Sequence, residues 1–205
     1  MKELVDRALN LAQVKGASYA DIRIVKRENQ SLTVRNGEVA GLVQDENQGF
    51  GVRVIVGGSW GFASSSLLTP GEVERVTAQA VQIARASALV KTKEVNLGAP
   101  VAHVATYRTA VVVDPFQVSL EDKLSLLLAA DAEMRAVSGI AVAQGSLEAL
   151  RETKTFANSE GSYIQQEIIE TGAGLEAMAV GKGEVQKRSY PNSFGRQQGT
   201  PQHGV

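Results

Sequence analysis

Asn36-Gly37 most constrains this chain, because a two-residue turn between alternating apolar runs can only join two antiparallel strands in a fixed register. Both central residues of such a turn need positive φ, which asparagine tolerates and glycine prefers. Before the turn, Ile22 and Ile24 alternate with Arg23, and Leu32 and Val34 alternate with Thr33 and Arg35. Residues 39–43 form the expected return strand, residues 52–56 another, and residues 60–63 a third after Gly57-Gly58. The first third of the chain therefore reads as an antiparallel meander.

Helices punctuate the strands. Leu4, Val5, Ala8, Leu9, Leu11 and Ala12 recur at helical spacing, and Gly16 is the stop. Thr69, Pro70 and Glu72 spell a capping box with proline at the first helical position. Val73, Val76, Ala80, Ile83 and Ala84 supply its apolar face, with Lys91 and Lys93 beyond its end. Residues 91–118 read as a connector holding one strand, Arg108 to Val113, closed by Asp114-Pro115. Ser119 and Asp122 open a third helix striped by Leu120, Leu124, Leu127 and Leu128. After Gly139 the period returns to two for some fifty residues.

The halves share a plan. Gly37 closes a hairpin, Gly49-Phe50-Gly51 precedes a strand and Gly57-Gly58 ends it; Gly161, Gly172-Ala173-Gly174 and Gly181-Lys182-Gly183 stand in matching places. Turn chemistry alone also demands glycines there. The expected fold class is α+β, with two similar units, each a helix plus an antiparallel β-meander. The first unit is expected over 1–90, the second over 91–190, and 191–205 reads as an unpacked tail without apolar period.

Composition narrows the function. The chain has 205 residues, a net charge of -1, no cysteine and 43% hydrophobic residues, enough for a core. A near-neutral charge argues against a nucleic-acid partner. The absence of cysteine removes thiolate nucleophiles and thiolate metal ligands, and fits a cytoplasmic protein. The charged, amphipathic start is unlike a signal peptide, and no segment is apolar for long enough to span a membrane, so no membrane partner is expected.

The chemistry-bearing motifs are few. Gly57-Gly58-Ser59-Trp60-Gly61 matches G-x-S-x-G, but a nucleophile elbow requires a helix directly after the serine, and here another strand follows. Ser59 is therefore expected in a hairpin turn. Gly49-Phe50-Gly51 opens a strand rather than a helix, which disfavours a phosphate loop. His103 and His203 lie a hundred residues apart, without the spacing that pairs ligands on one helix face, so no metal site is expected. Asp45-Glu46 is expected in a turn and Glu121-Asp122 in a helix's first turn. Trp60 and Phe62 share one strand face, where core packing is the expected role and a ligand platform the alternative.

The run from Gly49 through Trp60-Gly61-Phe62-Ala63-Ser64 resembles a signature of the TldD/PmbA family. So does its setting, with a leading helix, a strand ending in Asn36-Gly37, and a capped helix after the run. Asn158-Ser159-Glu160-Gly161 and Arg188-Ser189-Tyr190 resemble the family's second region, and the likeness covers nearly all of residues 1–190. The resemblance implies a metallopeptidase, also described as a modulator of DNA gyrase, that processes or degrades small unstructured peptides and forms homodimers or pairs with a related subunit. It also implies zinc held by H-E-x-x-x-H in a C-terminal region that this sequence does not reach. A truncated chain, a split gene or a frameshifted product would each account for that. No catalytic residue carries over, and no cofactor is expected in this chain.

The expected role is therefore a scaffold that holds peptide and supports dimerisation. Meanders leave open strand edges, which recognise a peptide through its main chain. Glycines 49, 51, 57, 58 and 61 would let a second backbone approach, and Arg53, Trp60 and Phe62 are the candidate peptide contacts. The missing C-terminal part could instead cover those edges. The rival functions are a free-standing module that binds a peptide or partner without catalysis, and a gyrase-associated regulator, whose binding would fall steeply with salt.

Overall fold

The computed structural model describes residues 1–191 and 197–199. The described residues form α1 (Lys2–Val14), β1 (Tyr19–Arg35), β2 (Glu38–Val56), β3 (Ser59–Ser65), α2 (Pro70–Ala88), β4 (Val104–Arg108), α3 (Leu120–Arg135), β5 (Ile140–Asn158), β6 (Tyr163–Gly181), β7 (Glu184–Tyr190) and β8 (Gln197–Gly199). The class is α+β. Strands hydrogen-bond in the order β3-β2-β1-β5-β6-β4, and β7 and β8 also pair with β6. The β4–β6 pair is parallel, an exception to the expected all-antiparallel meanders.

Asn36 and Gly37 turn β1 into β2 with φ of 52° and 84°. The strands on either side are longer than the sequence pattern shows. β1 is one strand of 17 residues and β2 one of 19, where short separate runs were expected. Polar stretches such as residues 26–31 and 44–48 break the alternation without breaking the ladder. Asp45-Glu46 and Gly49-Phe50-Gly51 consequently lie inside β2, not in a turn or at a strand start. The 172–174 glycine pair likewise lies inside β6.

Packing divides the chain into interleaved units, not into the consecutive segments 1–90 and 91–190. One unit gathers residues 1–27, 47–108 and 152–167; the other gathers 28–46, 109–151 and 168–205. Long strands cause this, since β1, β2, β5 and β6 each contribute to both. The first unit's core is Val5, Ala8 and Ala12 of α1, Val73, Val76, Ala80 and Ala84 of α2, and Ile22, Ile24, Val52, Val54 and Ala63 of the sheet. In the second unit Leu127, with partly buried Leu120, Leu124 and Leu128, covers Leu32 and Val34. The tail expected at 191–205 lies mostly outside the described residues; the backbone of its three strand residues pairs with Thr171–Ala173 of β6.

Capping follows the sequence. The Glu72 N–H donates to Thr69 Oγ1 at 3.4 Å, and the Asp122 N–H donates to Ser119 Oγ at 3.0 Å. Thr69→Ala should cost about 1 kcal/mol, the usual worth of an N-cap, seen as a lower midpoint in urea with an unchanged slope.

The connector strand is displaced. β4 ends at Arg108, where a strand from Arg108 to Val113 was expected. Thr109 is buried and its Oγ1 accepts from the Ile169 N–H at 3.2 Å, which takes the chain out of the ladder. Arg151 then holds the next turn by pairing with Asp114 at 2.6 Å and lying 4.4 Å from the Phe116 ring centroid. No helix among the described residues is long and apolar enough to cross a membrane.

Candidate functional site

Strand alternation gives the first unit's sheet two unlike faces. Ile22, Ile24, Val52, Val54 and Ala63 point into the helix-covered core. Tyr19, Asp21, Arg23, Arg53, Trp60 and Phe62 occupy the complementary positions on β1, β2 and β3, opposite α1 and α2. A cleft of about 450 Å³ lies there, lined by Asp21, Arg23, Arg27, Arg53 and Phe62 with polar Asn47, Gln48 and Ser64.

Gly61 sets which face Trp60 and Phe62 take. A Cβ on Gly61 would lie 2.0 Å from Ala80 O, so α2's backbone rests directly on that glycine. Its neighbours must point away from the helix. Phe62 is 54% exposed and Trp60 half-buried, which corrects the expectation that both pack in the core. Phe62 folds over Gly51, where a Cβ would meet the ring at 2.7 Å. The glycine is thus a seat for an aromatic ring on the next strand.

A polar relay fixes the rest of the face. Both oxygens of the buried Asp21 carboxylate accept from the single Arg53 Nε–H, at 3.0 and 3.2 Å, and the carboxylate pairs with Nη2 at 2.8 Å. The Arg53 guanidinium carbon lies 5.2 Å from the Trp60 centroid, and Tyr19 meets Trp60 edge-on at 5.9 Å. The hydrogen bond to Asp21 raises the Arg53 pKa, and burial, with the Asp21 charge, pushes the Tyr19 phenol up. Arg27 pairs with Glu152 at 2.6 Å. Burial pushes the Glu152 carboxyl up, but hydrogen bonds from Arg27 and Lys154 outweigh it and hold the group below its usual range.

Arg53, Trp60 and Phe62 are therefore brought together on one face. Sequence reading missed Tyr19, Asp21, Arg23 and Phe156, which share that face. The signal was present: Ile22 and Ile24 alternate inward, so Asp21 and Arg23 had to point outward. Ser59 is buried and opens β3 after Gly57 and Gly58, both at positive φ, so no helix follows it. His103 is exposed; its carbonyl accepts from the Tyr163 N–H at 2.8 Å. Among the described residues no group of three or more His, Cys, Asp or Glu is placed to hold a metal ion. The described residues thus offer no ligand cluster for the zinc that the family resemblance implies for a C-terminal region of longer members.

Two sequence families of domains match the chain. Residues 20–84 match the PmbA/TldA metallopeptidase domain 1, and residues 113–199 match the PmbA/TldA metallopeptidase central domain. A metalloprotease of Methanocaldococcus jannaschii is 27% identical over 184 residues, which is 87% of this chain and 40% of that protein. In fold, the chain is similar to a proposed modulator of DNA gyrase from Thermotoga maritima, with a TM-score of 0.77 at 14% identity over 100% of this chain and 44% of that one. It is also similar to TldE from Thermococcus kodakarensis, with a TM-score of 0.69 at 16% identity over 90% of this chain and 41% of that one. The chain spans about two fifths of the length of these proteins. With both domain families matched in order along it, the chain belongs to the PmbA/TldD metallopeptidase family and covers part of its N-terminal region.

Proposed function

We propose that this chain is a non-catalytic, peptide-holding portion of a PmbA/TldD metallopeptidase, and that β3 is the strand that holds the peptide. The observation that carries the reading is that β3 ends the strand order and, among the described residues, pairs only with β2, through Phe50↔Ser65 to Val56↔Ser59. Its outer edge offers main-chain groups to an extended segment, which recognises a small unstructured peptide with little regard to sequence. Arg53, Trp60 and Phe62 stand beside that edge as side-chain contacts. Proteolysis itself, with its zinc, would fall to the remaining length of the longer members. The outer edge of β7 would serve a second copy or a related subunit.

In the second expected meander β6 pairs with β5, β4, β7 and β8, which leaves the outer edge of β7 open, and the cleft lined by Arg53 and Phe62 favours β3 over β7 for peptide. Hydrogen exchange with and without a saturating unfolded peptide tests the reading. The amides of Ser59–Ser65 should gain protection. Trp60 is the sole tryptophan, so its fluorescence should shift in the same titration. No gain in protection anywhere in β3 would leave the chain a scaffold whose edge is covered by another domain.

A further inference from the structure

The cleft beside β3 carries an uncompensated positive charge. Three arginines, Arg23, Arg27 and Arg53, line it against one carboxylate, Asp21. Two of the three are already engaged: Arg53 holds Asp21 at 2.8 Å and Arg27 holds Glu152 at 2.6 Å. Arg23 is exposed and lies 5.5 Å from the Phe156 ring centroid, with no carboxylate partner among the described residues. The Phe156 face steadies the guanidinium plane and leaves its N–H donors for an acceptor. No carboxylate of the lining is left to neutralise Arg23, because Asp21 is held by Arg53.

We infer that Arg23 is a receptor for a carboxylate on the held peptide. The inference rests on the peptide-holding reading above and adds the chemistry of what is held. A planar guanidinium grips a carboxylate through two parallel hydrogen bonds, and these are stronger than neutral ones. Phe62, over Gly51, walls the same cleft and offers an apolar surface to the neighbouring residue. β1, which carries Arg23, lies two strands in from β3, so the residue that meets Arg23 is one that turns off β3 and crosses the cleft over β2 past Phe62, and either an Asp or Glu side chain or the terminal carboxylate of a short peptide can be carried there.

Three fluorescent hexapeptides of otherwise equal sequence separate these sources: one amidated and neutral, one amidated with an internal Glu, and one neutral with a free C-terminus. Anisotropy titrations with the full chain should show at least one carboxylate peptide binding about 5–10-fold more tightly than the neutral amide. Whichever peptide gains shows which carboxylate is read, and the gain should shrink between 50 and 300 mM salt. Arg23→Gln should abolish the gain, so that the carboxylate peptides bind no more tightly than the neutral amide, while Arg23→Lys should keep part of it. Exposure of Arg23 means neither change threatens the fold, which a thermal melt will check. Equal affinity for all three peptides, or a gain that survives Arg23→Gln, overturns the inference while β3 protection leaves the peptide-holding reading standing. Absence of binding by every peptide overturns both.

Discussion

Gly61→Ala should be among the most damaging single-methyl changes in this protein. The new Cβ would lie 2.0 Å from Ala80 O, 2.5 Å from Ala84 N and 2.8 Å from Ala84 Cβ. Two of these are backbone atoms of α2, so no rotamer change relieves the clash. The helix must lift from β3, opening the core formed by Val73, Val76, Ala80 and Ala84 against Val52, Val54 and Ala63. Overpacking a core costs roughly 1–3 kcal/mol where side chains can adjust, and a backbone clash belongs at or above the top of that range. For a chain of this size that is a fall in Tm of about 6–12 °C. Gly71→Ala is the matched control. It lies inside α2 with nothing within 4 Å of an added methyl, and should be neutral or gain up to about 1 kcal/mol from helix propensity. Equal melting points for the two variants would show that α2 does not rest on Gly61.

The same glycine marks what the sequence does and does not disclose. Periodicity places Trp60, Gly61 and Phe62 on a strand, and β3 is that strand. Periodicity gives two faces without saying which one a helix covers. Aromatic residues flanking a glycine suggest a core, yet here the glycine faces α2 and the aromatics take the opposite face, where Phe62 lines the cleft. Local turn chemistry reads well for the same reason that faces read badly. Asn36-Gly37, Thr69-Pro70 and Ser119 act within a few residues, so their signals need no tertiary partner.

Longer-range features were less legible. The expected strands stopped where alternation stopped, but β1 and β2 run on through polar residues because each is held by a neighbouring strand. β5 lies beside β1: the Ala20 N–H donates to Ser159 Oγ at 3.0 Å, and the Asn36 N–H donates to Ala143 O at 3.0 Å. Those partners are over a hundred residues apart, and no local pattern announces such a pairing. The interleaved units follow from it. The family domains remain consecutive along the chain because they are defined by sequence, not by packing.

Arg53→Ala should cost about 2–3 kcal/mol of stability, more than Asp21→Asn at about 1 kcal/mol. The two residues form one ion pair at 2.8 Å, but they are unequally exposed, with side chains 44% and 2% accessible for Arg53 and Asp21. Removing Arg53 strands a buried carboxylate without its counter-charge, the costly way to break such a pair. Removing the Asp21 charge releases a guanidinium that water can solvate and that still lies over Trp60. The Arg53 side chain's exposure keeps the first figure below that of a fully buried pair. Urea unfolding of both variants at pH 7 measures the difference. The pair also bears on the cleft. With Asp21 neutral, Arg53 joins Arg23 as a second open guanidinium, so Asp21→Asn should hold a carboxylate peptide more tightly even as it weakens the fold. A larger loss of stability for Asp21→Asn than for Arg53→Ala would mean that Asp21 is held chiefly by its other neighbours, and that Arg53 is free to serve the cleft without cost to the sheet.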